Sequence, residues 1–260
     1  MARRALTAPK EDLPEPDRIE GQAHPRETFQ LLGQGPALAL TARAIRSGRP
    51  PQAWLISGPP GIGKATLAYR IARYLLAFGA SANGPDDLSV PERDPVSLQV
   101  AANAHPGLLV LKRAYNDKTG KLRTELTVDE VRKLSGFFGM TSGAGGWRVA
   151  IIDTADEMNP NAANALLKML EEPPARSMLL LLSNAPGQLL PTIRSRCQRL
   201  QLRPLDDAEL SDALAAKLPN LGAKEREALM QISGGSLGMA LQLSSGDGLE
   251  LARDAAKIID

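Results

Sequence analysis

Aromatic side chains make up only 3% of this 260-residue sequence, too few for the stacking platforms on which a single-strand nucleic-acid binder seats its bases. Contact with DNA is therefore expected to be indirect or electrostatic. Cysteine is nearly absent as well. Cys197 stands alone, so no intramolecular disulfide can form, and His24 and His105 are too few to complete a zinc site with it. This usage predicts a reducing, cytoplasmic setting. No run approaches the roughly 20 apolar residues of a membrane span. The N-terminal "MARRALTAPKEDLPEPDRIEGQ" has two arginines but no apolar core behind them, unlike a signal peptide or an anchor. No membrane partner is expected. An excess of one charge is missing too: 31 Lys and Arg against 29 Asp and Glu leave +2, so the balance by itself points to no polyanion partner.

What is present is an ordinary supply of core: 43% apolar and 23% charged residues, as in a soluble globular protein. Residues 1–28 are rich in Pro, Glu and Asp and read as a loosely packed arm. Beyond them, apolar runs of strand length recur at 53–57 ("AWLIS"), 108–112 ("LLVLK"), 148–153 ("RVAIID"), 178–183 ("MLLLLS") and 199–202 ("RLQL"). They are continuous rather than alternating, as in strands covered on both faces. Helical signals lie between them. Leu67, Ile71, Leu75 and Phe78 form one stripe over 64–78, "TVDE" at 127–130 suits a capping box, and Asn159-Pro160 opens a helix that Pro173-Pro174 stops. Strands alternating with helices predict an α/β fold with a parallel sheet over 29–204, which binds ligands at its strand carboxyl ends. After "LRPL" the pattern turns wholly helical, with starts at Asp206, Ala223 and Ser236, so 205–260 reads as a small helical domain. The segment 79–104 is dense in Gly, Pro, Asp and Ser and reads as a long loop with at most a short helix.

The motif that carries chemistry is "GPPGIGK": Gly58, Pro59, Pro60, Gly61, Ile62, Gly63 and Lys64. It follows a strand run and opens a helix, the setting in which a phosphate-binding loop works. Glycines turn backbone N–H groups toward phosphate, the helix N-terminus adds positive potential, and the lysine reaches the outer phosphates. The plain alternative is a Gly/Pro turn with an incidental lysine. One position breaks the pattern. The residue after the lysine should offer a hydroxyl to Mg²⁺, and Ala65 has none. Thr66 is no obvious substitute, because one step along a helix turns a side chain by about 100°. Asp153 at the end of "VAIID" is placed as a Walker-B-type aspartate, with a strand-end turn residue as the alternative. Thr154 follows it where a water-orienting glutamate normally stands in ATPases of this architecture; Asp156 and Glu157 lie farther along and do not inherit that role.

Three segments in order, "AWLISGPPGIGKATLAYRIARYLL", "NPNAANALLKMLEEPP" and "TIRSRCQRLQLRPL", resemble the AAA+ clamp-loader family of bacterial replication, from about Gly33-Gln34 onward. The resemblance implies a P-loop domain built on a five-stranded parallel sheet, then a helical lid. It also implies a collar domain, which this sequence is expected to lack. In that family some subunits are motors that hydrolyse ATP, while a stator subunit resembles them without doing so. Ala65, Thr154 and Gly238 in "GGSLGMAL", where motors carry a lid arginine, all agree with the stator type, and several catalytic losses together leave little rate. An active motor of the gamma/tau type is the rival. By the same resemblance "SRC" places Arg196 as an arginine finger acting in trans on a neighbour's ATP, against the alternative of a solvated surface arginine beside Arg194 and Arg199. Asn184, after Ser183, falls at the sensor 1 position. Asn164, Lys168, Glu171 and Glu172 read equally well as the solvated face of a packed helix, and Cys197 as a small buried hydrophobe. The implied partners are gamma/tau motor subunits and a delta subunit, with the sliding clamp and primed DNA reached indirectly, in the DNA polymerase III holoenzyme. No cofactor is required; the surviving cradle still suits a passively held nucleotide or anion. Many relatives hold zinc with four cysteines after the P-loop helix, but 79–104 contains no cysteine, so no metal is expected.

Overall fold

The computed structural model describes residues 15–19, 21–116, 119–139, 146–245 and 248. Its strands are β1 (Ala53–Ser57), β2 (Leu108–Leu111), β3 (Tyr115–Asn116), β4 (Lys121–Leu122), β5 (Arg148–Ile152), β6 (Ser177–Ser183) and β7 (Gln198–Gln201). Five of them form one parallel sheet in the order β2-β5-β6-β1-β7, and β3 and β4 pair as a small antiparallel hairpin. All five apolar runs of the sequence thus become strands. The register pairs Ala53 with Leu179, Trp54 with Gln198 and Leu108 with Val149.

Both faces of the sheet are covered, which explains why the runs do not alternate. Side chains still point to opposite faces along each strand. Trp54, Ile56, Val149, Ile151, Leu180 and Leu182 enter one apolar cluster, and Leu55, Ala150, Ile152, Leu179 and Leu181 enter the other. The first cluster is roofed by α1 (Gly35–Arg46) and α2 (Lys64–Phe78), the second by α4 (Val128–Gly139) and α5 (Pro160–Glu171). On α2 the expected stripe is buried at Leu67, Ile71 and Leu75, with Phe78 packed beside it. Asn159 accepts from the Ala162 N–H, so the Asn-Pro start behaves as an N-cap should. At the other capping signal, Glu130 is engaged by Lys133 at 2.6 Å.

Helix α1 precedes β1, ahead of the first apolar run. It buries Ala37, Thr41, Ala42 and Ile45, mostly small residues that hydropathy barely registers. In the 79–104 loop, Asp94 caps the short α3 (Pro95–Ala101), and Leu88, Val90 and Val100 are buried. The arm expected over 1–28 needs correction where it is described. His24 is 1% exposed, Lys112 Nζ lies 2.7 Å from Glu15 Oε1 and 2.9 Å from Asp17 Oδ1, and Arg26 bonds both Glu15 and the Ala101 carbonyl. This is a strap fastened by charge, invisible to a search for apolar pattern. Residues 1–14 and 20 of the expected arm lie outside the described residues.

After the sheet, α6 (Pro191–Arg196) and β7 lead into α7 (Asp207–Lys217), α8 (Ala223–Ser233) and α9 (Leu237–Ser244). These last three share a separate apolar cluster of Leu205, Leu210, Leu214, Ala228, Leu229 and Ala240. Asp206 and Glu209 form a reciprocal capping box, and Ser236 caps α9 through the Met239 N–H. The expected helical domain runs past this point; residues 246–247 and 249–260 lie outside the described residues.

Candidate functional site

β1, an inner strand between β6 and β7, ends at Ser57, and the chain leaves its carboxyl end as a loop over Gly58–Gly63 before entering α2. Gly61 has φ +73° and Gly63, the N-cap of α2, has φ +103°. These are conformations that a Cβ disfavours, so the glycine spacing is set by the backbone path. Lys64, the first helical residue, is only 7% exposed, and its Nζ donates to the carbonyls of Gly58 (2.8 Å) and Pro59 (2.7 Å). Burial lowers its pKa to about 8, with the Asp153 and Asp156 carboxylates pulling the other way.

Asp153 follows β5 directly. Burial pushes its carboxyl up to about 6, the Asp17 charge from the strap adds to that, and Lys64 opposes it. Thr154 turns its hydroxyl toward Asp153 Oδ1 at 3.4 Å and offers no second carboxylate. Asn184 follows β6 and is held by a residue that the sequence left without a role: Asp156 accepts the N–H groups of Asn184 (3.1 Å) and Ala185 (3.3 Å). Glu157 is engaged elsewhere, 2.7 Å from Arg113.

Lys64, Ala65, Asp153 and Asn184 line one cavity of about 700 Å³, a volume suited to a nucleotide-sized ligand. The same cavity is bounded by the strap, through Pro16, Asp17 and Ile19, and by α9, through Leu237, Gly238 and Leu241. Sequence reasoning missed the strap's share entirely, because nothing in a Pro- and acid-rich segment marks a cavity wall. The donor set suits phosphate through the glycine loop and lysine. It does not suit magnesium in the usual way, since Ala65 presents a methyl where the metal needs oxygen. Thr66 also borders the cavity.

Among the described residues, Glu15, Asp17 and His24 come close enough to suggest a metal cluster. Their chemistry argues otherwise. Lys112 and Arg26 already hold the carboxylates, and His24 Nδ1 accepts the Arg26 N–H at 3.1 Å. Nε2 lies 3.1 Å from Asp17 Oδ2, and the two carboxylates belong to an ion-pair network with Lys112 and Arg26.

Arg196 does not line the cradle. It ends α6, where its Nη1 donates to the Thr192 carbonyl (3.1 Å) and its Nη2 to Glu171 Oε1 (2.9 Å), with the side chain 37% exposed. Cys197 beside it is buried, and burial pushes its thiol up to about 11, far from a nucleophile. Asn164 and Lys168 are exposed on α5 above its apolar face.

An inner strand of a parallel sheet feeding a glycine loop, flanked by helices and followed by a helical bundle, defines the AAA+ fold class. The fold is shared with the Thermotoga maritima RuvB Holliday junction branch migration motor (TM-score 0.53, 19% identity, 91% of this chain and 68% of that one). It is shared too with the FIGL-1 AAA domain solved in complex with ADP (TM-score 0.51, 17% identity, 89% and 76%). Residues 33–206 match the model of the family described as DNA polymerase III, delta subunit, and the chain belongs to that family. Among curated relatives, the delta-prime subunit of DNA polymerase III from Pseudomonas aeruginosa is 43% identical over 185 residues, 71% of this chain and 53% of that protein. The chain spans about half the length of that relative.

Proposed function

We propose that this chain is the stator of a bacterial clamp loader: a subunit that does not hydrolyse ATP, braces gamma/tau motor subunits beside a delta subunit, and lends Arg196 to a neighbour's ATP. Through that ring it serves the loading of the sliding clamp onto primed DNA by the DNA polymerase III holoenzyme in the cytoplasm. Its own cradle holds at most a passive nucleotide or anion, without zinc.

The observation that carries this reading is Ala65 in the wall of an otherwise furnished cradle. Lys64, Asp153 and Asn184 all border the cavity, which supports a phosphate-recognising role, whereas residue 65 has no hydroxyl to orient Mg²⁺ between phosphates. Thr154 in place of a second carboxylate removes the group that would polarise water. The two losses act on different parts of the same transition state, which is where catalysis lies. Arg196 supports the trans role by its position: it is outside its own cradle, partly exposed, and at the end of a short helix.

Two measurements test the reading. The purified chain is expected to turn over ATP no faster than its Lys64→Ala variant. In a ring reconstituted with motor and delta subunits, Arg196→Ala is expected to lower clamp-stimulated hydrolysis by about 10³-fold at the one site it faces, with the ring intact. Turnover that depends on Lys64 would remove the stator reading, and unchanged ring activity would remove the finger.

A further inference from the structure

The lid touches the phosphate-binding loop directly. Ser236 Oγ donates to the Pro60 carbonyl at 2.7 Å, and the Gly238 N–H donates to the Gly61 carbonyl at 2.9 Å. The approach is so close that a Cβ on Gly238 would stand 2.6 Å from Gly61 Cα, and one on Gly61 would stand 2.6 Å from Ser236 Oγ. Both sides of the contact therefore need glycine. The same lid turn is fastened at its base: the Leu205 N–H donates to the Gly235 carbonyl at 2.9 Å, and a Cβ on Gly235 would lie 2.6 Å from Leu205 O. The segment that follows β7 is fixed in turn by Gln34, 2% exposed, whose amide donates to the Arg203 carbonyl (2.8 Å) and accepts the Arg203 N–H (3.2 Å).

We propose that these contacts form a latch that sets the angle of the lid without nucleotide. A lid bridged to the loop only by a bound phosphate would swing with binding and release. Here two hydrogen bonds and a glycine-to-glycine approach replace that bridge, so ligand entering the cavity leaves the lid where it is. Ser236 does double duty: its hydroxyl accepts the Met239 N–H as a helix cap at 3.1 Å while donating its proton to Pro60. The inference deepens the stator reading and rests on it for its meaning inside a ring; the latch itself is a matter of bonds within the chain.

Native-state hydrogen exchange on the purified full chain tests it. In the wild type the Gly238 amide is expected to be protected, and saturating ADP or ATP, with or without Mg²⁺, to leave its exchange rate unchanged. Ser236→Asp keeps an acceptor for Met239 but has no proton for Pro60. It is expected to speed Gly238 exchange about tenfold, the factor carried by one ordinary hydrogen bond, with helix content by circular dichroism preserved. Gly238→Ala is expected to act in the same direction by forcing the lid off Gly61. Wild-type rates in both variants would overturn the latch, as would nucleotide-dependent exchange in the wild type, which requires no variant to fold. Hydrolysis in the same samples separates the two ideas: turnover with unmoved exchange supports the latch and sinks the stator reading.

Discussion

Two covers close on one cradle, and different forces hold them. The strap (residues 15–19 and 21–28) is tied down by Lys112, Arg26 and the buried Arg73, with little apolar burial of its own. The lid is built round Leu205, Leu210, Leu214 and Leu229 and reaches the loop through two neutral hydrogen bonds. Coulombic contacts weaken with salt and with titration of their partners, whereas apolar burial changes little with either. The cavity can thus be loosened on the strap side while the lid side stays shut.

The sharpest way to break the comparison is Arg73→Ala. Arg73 is 2% exposed on α2, donates to the carbonyls of Arg26 and Thr28 (2.9 Å each), and lies 4.3 Å over the Phe29 ring. Burial and the nearby Arg70 lower its pKa to about 10, still well above neutrality, so it is a buried cation held by backbone oxygens and one ring. Truncation orphans two carbonyls and leaves a cavity, for an expected loss of about 4 kcal/mol in urea denaturation. A loss under about 1 kcal/mol would mean the strap is seated by something else.

Leu214→Ala is the matching change in the lid. The side chain is fully buried in that cluster, and its truncation should cost about 3 kcal/mol. The informative part is the salt dependence: the loss is expected to be the same at low and high ionic strength. A loss that grows or shrinks with salt would put charge back into the lid's cohesion.

The same contrast explains what could be read from the sequence. The strands at 53–57 and 148–152 and helix α2 announce themselves because apolar side chains at fixed spacing leave a local record. The glycine loop is legible because Gly61 and Gly63 adopt backbone angles that few other residues tolerate. The strap leaves no such record: Glu15 and Asp17 look like solvated charge until Lys112, about a hundred positions away, supplies the partner. Ser236 was legible as a helix cap, but its donation to Pro60 spans 176 positions and no local rule predicts it. Asp156 is a similar case, since its role appears only once β6 delivers Asn184 beside it.

The smallest expected effect is also the one that tests the electrostatic half most directly. Burial alone would raise the Glu15 carboxyl, but hydrogen bonds from Arg26 and Lys112 outweigh it and hold its pKa at about 2, below the usual 4.5. A carboxyl depressed by folding adds stability above its unfolded pKa and loses it as pH falls through the folded one. Glu15→Gln should therefore lower stability near neutral pH by less than about 1 kcal/mol, because the site is open enough to water to screen the pairs. The gap between variant and wild type should then close as pH drops from about 4.5 to about 2, and shrink again in high salt. Urea midpoints taken across that pH range give the answer. A gap that stays constant down to the acid end would show Glu15 acting by shape rather than by charge, and the strap would have to be explained as the lid is, by packing.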